Sequence, residues 1–311
     1  MQRLTLDGGI PDTLKGSIVA LGNFDGFHLG HQAVVGRAVQ RAFHERRPTI
    51  VATFDPHPVS FFKPDLPPFR LTTLDQRESL FAHAGADAML VFEFDEELRS
   101  TNANDFVTEL LGRQIGAAGV ITGDDFTFGK GRSGSVETLR SLGAEHEIAA
   151  EAVAPVLFEG IRISSGRIRA ALEAGDTGTA TRLMSRDFAI KGVVQGGDRR
   201  GRELGYPTAN MALGDYQRPR YGIYAVRVTL NDGSEHPGVA SLGIRPTFEP
   251  PQELLETHLL DFEGDLYGQE IEVALHAFIR EEKKFESLND LVLEMREDEA
   301  QARRLLALPL P

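Results

Sequence analysis

The sequence contains no cysteine, which rules out disulfides, thiolate metal sites and cysteine nucleophiles together. This fits a reducing compartment. Basic charge is also in deficit: 33 Lys and Arg stand against 46 Asp and Glu, a formal net charge of −13. Polynucleotide binders normally carry the opposite balance, so no nucleic-acid partner is expected. No apolar stretch approaches the roughly 18 residues of a spanning helix, so no membrane partner is expected either. The first residues, Met1-Gln2-Arg3-Leu4-Thr5-Leu6-Asp7, hold no secretory apolar segment and no small-residue cleavage site, which points to a cytoplasmic protein. An acidic protein that handles phosphates must do so locally, with backbone amides, a metal ion and a few placed basic groups. Self-association is left open.

What is present is an ordinary globular composition, 41% hydrophobic and 25% charged over 311 residues, a length comfortable for two domains. Residues 17 to about 173 alternate strand and helix. Short apolar strands read at Ser17–Gly22, Pro48–Phe54, Ala88–Phe92, Gly119–Thr122 and Glu147–Val153. Helical spacing follows the first, at Val35, Ala38, Val39, Ala42 and Phe43, and recurs near 73–84, 102–115 and 133–143. Apolar strands covered by helices predict a doubly wound α/β domain on a parallel sheet. The pattern changes near residue 187, giving expected domains of 1–186 and 187–311. Period-two strands around Ile223–Leu230 and Ile271–Ile279, with an Asn231-Asp232-Gly233 turn, predict a small antiparallel barrel. One amphipathic helix closes the chain, with Ser287 as N-cap and an apolar stripe of Leu288, Leu291, Val292, Met295, Ala302 and Leu306.

Gly22-Asn23-Phe24-Asp25-Gly26-Phe27-His28-Leu29-Gly30-His31 leaves the first strand and opens the first helix. There an α/β sheet presents a helix N-terminus to a ligand, and the glycines let backbone approach phosphate. His28 and His31, three apart, face one side of the first turn and can bond the oxygens of a reacting phosphate. A histidine pair also binds zinc, though only His57 stands near as a third ligand. A structural turn with two surface histidines is the plain alternative.

A second Gly-rich loop runs from Gly192 through Gly196, Gly201 and Gly205 to Pro207-Thr208-Ala209-Asn210. It has no Walker ending. Thr208 and Asn210, two apart in an extended segment, share a face and offer neutral oxygens that suit Mg²⁺ carried by a nucleotide. Farther on, Glu256 is a lone carboxylate in a strand. It is either an exposed glutamate without a role or a base for an alcohol attacking a γ-phosphate.

The first segment resembles the His-x-Gly-His motif of the nucleotidyltransferase superfamily, and in its longer form the bacterial bifunctional riboflavin kinase/FAD synthetases. Thr53-Phe54-Asp55-Pro56-His57-Pro58, Gly123-Asp124-Asp125-Phe126-Thr127-Phe128-Gly129 and Ile163-Ser164-Ser165-Gly166-Arg167-Ile168-Arg169 match that family in order. The Pro-Thr-Ala-Asn segment, Gly243-Ile244-Arg245-Pro246-Thr247-Phe248 and Glu256-Thr257-His258-Leu259 are similar to its riboflavin kinase half. The resemblance implies a Rossmann-like nucleotidyltransferase domain followed by a six-stranded barrel with a C-terminal helix. It implies ATP and Mg²⁺ as partners in making FMN from riboflavin, then FAD from FMN. His28, His31 and Glu256 would be catalytic. Gly22, Asn23, Phe24, Asp25, Gly26, Arg162, Ser164, Ser165 and Arg169 would hold the adenylyl-site nucleotide. Asp55, His57, Asp125 and Phe126 would hold flavin or nucleotide there. Gly192, Gly201, Gly205, Pro207, Thr208 and Asn210 would hold the kinase ATP, with Thr208 and Asn210 on the metal. Ser164 taken alone reads as a helix N-cap. Gly166 stands where the family commonly has Thr, and Asp125 where many members have Asn. Two other functions remain as alternatives: a transferase with a different acceptor, and a flavin-binding regulator without turnover.

Overall fold

The computed structural model describes residues 1–196, 205–245 and 251–308. They form two compact units, one of residues 1–67 and 72–164, the other of 68–71 and 165–311.

The first unit is built on six parallel strands: β1 (Gln2–Thr5), β2 (Ile18–Leu21), β3 (Thr49–Asp55), β4 (Ala88–Glu93), β5 (Gly119–Gly123) and β6 (Ala149–Val153). Their spatial order is β1-β4-β3-β2-β5-β6. The helices are α1 (Leu29–Glu45), α2 (Pro58–Phe62), α3 (Leu74–His83), α4 (Glu96–Ser100), α5 (Ala103–Asp105) running on into a helix at Phe106–Ile115, and α6 (Val136–Glu145). Side chains alternate across the sheet. Val19 and Leu21 of β2 therefore join a core with Leu111, Ile115 and Leu139. Ile18 and Ala20 join another with Val35 and Ala38 of α1 and Phe81 of α3. Both faces are covered, which is why the strands read as apolar runs rather than alternations.

All five predicted strands are present, and β1 is an addition at the sheet edge. Only Leu4 of its four residues is buried, too weak a pattern to read locally. A two-stranded hairpin, β7 (Leu157–Phe158) with β8 (Ile161–Arg162), also lacks the length to show in sequence.

The second unit begins with α7 (Ser165–Glu173) and α8 (Thr177–Met184), which pack on each other. Six antiparallel strands follow: β9 (Phe188–Val193), β10 (Ala209–Ala212), β11 (Gly222–Thr229), β12 (Glu235–Arg245), β13 (Gln252–Leu259) and β14 (Glu270–Arg280). Their order is β10-β13-β12-β11-β14-β9. Gln195 N–H donates to Asn210 O at 2.8 Å, bridging the two end strands and closing the barrel. The β11–β12 turn falls on Asn231-Asp232-Gly233, with Gly233 at φ 82° and Gly233 N–H donating to Leu230 O at 2.9 Å.

The last helix, α9 (Leu288–Leu305), starts on Ser287, whose hydroxyl accepts from Asp290 N–H at 3.2 Å. One position of its expected apolar stripe is corrected by the structure. Leu288 is 67% exposed, while Asp298, Ala302 and Arg303 are buried. Toward the helix C-terminus, Ala302 and Leu306 pack against Ala225, Val239, Ala277 and Ile279 of the barrel. The buried charges are tolerated because each is forked. Arg280 donates to both Asp298 oxygens at 2.8 and 2.6 Å, and Arg303 to both Asp261 oxygens at 2.8 and 2.6 Å. Burial pushes the Asp298 carboxyl above its ordinary range, against the pull of Arg280.

Replacing Asp298 by Ala leaves the Arg280 guanidinium half-paired in a dry interface. The expected loss is about 3 kcal/mol, measured by urea unfolding followed by circular dichroism, since the sequence has no tryptophan.

Candidate functional sites

In the parallel sheet, β2 and β5 are neighbours whose onward connections leave in opposite directions: β3 lies beyond β2, and β6 beyond β5. A crevice opens beyond the strand C-termini at such a reversal. Two of the predicted motifs begin there, one after Leu21 and one after Thr122. The Asp55-Pro56-His57 segment leaves β3 at the same edge.

The loop from Gly22 to His28 is held from beneath. Arg77 of α3, 1% exposed, donates to Asn23 O at 3.4 Å, Thr53 Oγ1 at 3.1 Å and Thr72 O at 3.3 Å. Asp25, 2% exposed, accepts from Thr72 N–H at 3.0 Å, and Gly26 N–H donates to the Thr72 hydroxyl at 3.0 Å. Phe24 and Phe27 are buried against Phe81. The side chains of Phe24 and Asp25 thus anchor the loop, leaving only their backbone to approach a ligand. Arg77 and Thr72 were absent from the expected set, because an arginine flanked by Gln76 and Glu78 on a helix reads as a surface residue.

His28 is the N-cap of α1: its Nδ1 accepts from His31 N–H at 3.2 Å. With Nδ1 accepting, the neutral ring carries its proton on Nε2, which becomes the donor. The rings of His28 and His31 stack with centroids 3.6 Å apart, and Phe24 meets His31 edge-on at 5.3 Å. Gly30 makes this seat available. A Cβ there would come to 3.1 Å from His28 Cε1 and 3.2 Å from Nδ1. The Leu29 and Gly30 amides lie in the first turn, where α1 offers them no carbonyl partner.

The remaining expected residues are more scattered. His57 caps α2, accepting from Val59 N–H at 3.2 Å. Arg162 pairs with Asp124 at 3.0 Å and with Asp125 at 2.7 Å, and Phe126 stacks on Phe128. Ser164 ends the first unit; Ser165 and Arg169 lie on α7 in the second. Arg169 donates to Phe69 O at 2.7 Å and lies over the Phe69 ring at 4.9 Å.

The barrel holds a different arrangement. Register sets Asn210 of β10 opposite Glu256 of β13, and Glu256 opposite Ser241 of β12, so the three share a face. A solvent-open cleft is lined by Pro207, Thr208, Asn210, Leu259, Phe262 and Tyr267, among others. The Asn210 Oδ1 is buried and has no hydrogen-bond donor among the described residues. Glu256 Oε2 accepts from Arg245 Nε at 2.8 Å. Burial opposes the charge of Arg245, yet Glu256 and Glu282 together hold its guanidinium above its ordinary range. Gly192 lies within β9 and Gly205 adopts φ 84°. Gly201 and Pro246–Phe248 fall outside the described residues.

Two family models match the chain, one described as FAD synthetase over residues 10–167 and one as riboflavin kinase over residues 184–306. Similar proteins named bifunctional riboflavin kinase/FMN adenylyltransferase are 40% identical in Pseudomonas fluorescens, covering 94% of both chains, and 37% identical in Escherichia coli K12, covering 96% of this chain and 95% of that one. A solved chain described as a macrolide-efflux protein from Streptococcus pneumoniae superposes with a TM-score of 0.87 at 29% identity, covering 97% of this chain and 99% of that one. Among the described residues no helix is long and apolar enough to cross a membrane. With both halves matched in order and relatives aligned nearly end to end, the chain belongs to the bifunctional riboflavin kinase/FMN adenylyltransferase family.

Proposed function

We propose that the chain makes FMN in its barrel and FAD at the His28 loop, using two sites of opposite chemical design. The observation that carries this reading is the contrast between them. The first gathers stacked imidazoles over a helix N-terminus; the second sets a carboxylate opposite a buried amide oxygen that has no partner among the described residues. We assign residues 1–186 to adenylyl transfer and 187–311 to the kinase, in the cytoplasm where ATP is at hand.

In the barrel, Glu256 accepts the proton of the riboflavin 5′-hydroxyl as that oxygen attacks the γ-phosphorus. The bond to the β-phosphate bridging oxygen breaks, leaving FMN and ADP. The buried Asn210 Oδ1, without a partner among the described residues, and the Thr208 hydroxyl on the same cleft fit a hard cation that takes neutral oxygen ligands. No group of three His, Cys, Asp or Glu among the described residues could cage a metal, so Mg²⁺ would enter with the nucleotide. When bound, it neutralises charge on the transferring phosphoryl group.

At the other site, an oxygen of the FMN phosphate attacks the α-phosphorus of ATP and pyrophosphate leaves. The attacking group is already ionised, so no general base is needed. What is needed is donors aimed where charge grows. His28 Nε2, His31 and the first amides of α1 supply them.

His28→Ala is expected to lower FAD formation about 100-fold and to spare FMN formation, followed by chromatography of the flavins. Glu256→Gln is expected to do the reverse; normal riboflavin phosphorylation in that variant removes Glu256 from the mechanism. Asn210→Ala removes one proposed cation ligand, and should raise the Mg²⁺ concentration for half-maximal kinase rate roughly tenfold. An unchanged Mg²⁺ titration would contradict the ligand assignment.

A further inference from the structure

Glu256 does not stand alone on its face of the barrel. Ser241, Gly243 and Arg245 of β12 alternate onto that face, and Ser241 is the register partner of Glu256. The Arg245 guanidinium spends its donors in three directions: Nε to Glu256 Oε2 at 2.8 Å, Nη1 to Glu282 Oε1 at 2.6 Å and Nη2 to Ser241 Oγ at 2.7 Å. The Ser241 hydroxyl in turn donates to Glu282 Oε1 at 3.2 Å. Glu282, just past β14, lies across Gly243, where a Cβ would come to 2.5 Å from its carboxyl oxygen. Only glycine lets the carboxylate descend far enough to hold the far side of the guanidinium.

The arrangement is asymmetric in exposure. The Arg245 side chain is 17% exposed, Glu256 29% and Glu282 38%. An isolated glutamate on a strand samples several rotamers at each of three torsions. Here a planar fork, itself held by Ser241 and Glu282, gives the Glu256 carboxylate a fixed donor at 2.8 Å. Arginine suits this better than lysine because its donors diverge in a rigid plane.

We propose that Arg245 is a positioning residue for the kinase reaction, holding the Glu256 carboxylate where the attacking hydroxyl must deliver its proton, and that Glu282 and Ser241 hold Arg245. The proposal rests on the reading of Glu256 as the base. General-base catalysis depends on heavy-atom placement within hydrogen-bond reach, so loosening the carboxylate slows turnover without weakening substrate binding.

The test is steady-state kinetics of riboflavin phosphorylation on the full chain, with FMN adenylylation measured on the same preparations. Arg245→Gln should lower kcat about 10- to 100-fold, with KM for riboflavin and for ATP within about twofold and adenylylation unchanged. Arg245→Lys keeps charge but not the three-way fork and should recover part of that loss. Glu282→Gln, which leaves the Arg245 contacts to Glu256 and Ser241, should give a smaller kcat loss of the same kind, and decides the matter if Arg245→Gln does not fold. Normal kcat in Arg245→Gln, a rise in KM at constant kcat, or Arg245→Lys no better than Arg245→Gln would each overturn the proposal. Glu256→Gln is run alongside. If it turns over normally, the base assignment fails; if it is inactive while Arg245→Gln is normal, only the positioning role fails.

Discussion

A buried guanidinium is the constraint on which the adenylyl site depends. Arg77 is 1% exposed, yet its donors reach three segments far apart in sequence: Asn23, Thr53 and Thr72. The loop it supports contains two non-glycine residues in the left-handed region, Phe24 at φ 51° and Phe27 at φ 34°. Such conformations persist only where the surroundings over-determine them. The Arg77 and Asp25 hydrogen bonds do this, together with the two phenylalanines packed against Phe81. The His28 ring can lie over the first turn of α1 because the chain entering it is fixed this tightly. Gly30 leaves room for it, since a Cβ there would crowd the ring at 3.1 Å.

The barrel reaches the same end by other means. No strained loop supports Glu256; strand register does. Antiparallel pairing sets Asn210 opposite Glu256 and Glu256 opposite Ser241, turning distant positions into neighbours on one face. The two sites differ accordingly in what they present. One offers donors and no obligatory base, as an ionised nucleophile requires. The other offers a carboxylate beside neutral oxygens, as an alcohol nucleophile with a metal-borne nucleotide requires.

Much of this was legible in the chain. The β2, β3 and β5 strands are apolar because both sheet faces are covered, and each is followed by a motif whose chemistry shows in its residue types. The parallel topology then gathers those motifs at one edge. The Asn231-Asp232-Gly233 turn and the Ser287 cap were local signals and were local in fact. What stayed hidden was non-local. Arg77 sits in a helix of sequence LDQRESLFAH, where nothing nearby distinguishes a buried arginine from a solvated one. The Arg245–Glu256 ion pair depends on register between strands, and the buried Asp298 and Arg303 of the C-terminal helix could not be read locally because their partners lie on other elements. Arg162 and Asp125 were expected to face ligands separately; the structure pairs them at 2.7 Å.

The central claim is that two chemically unlike sites on one chain work independently. The direct measurement is a mixture of the His28→Ala and Glu256→Gln proteins supplied with riboflavin, ATP and Mg²⁺, with flavins separated over time. The account predicts that neither protein alone makes FAD from riboflavin and that the mixture does, with FMN rising first. A mixture in which FMN accumulates without FAD, although the Glu256→Gln protein is active on added FMN, would contradict it.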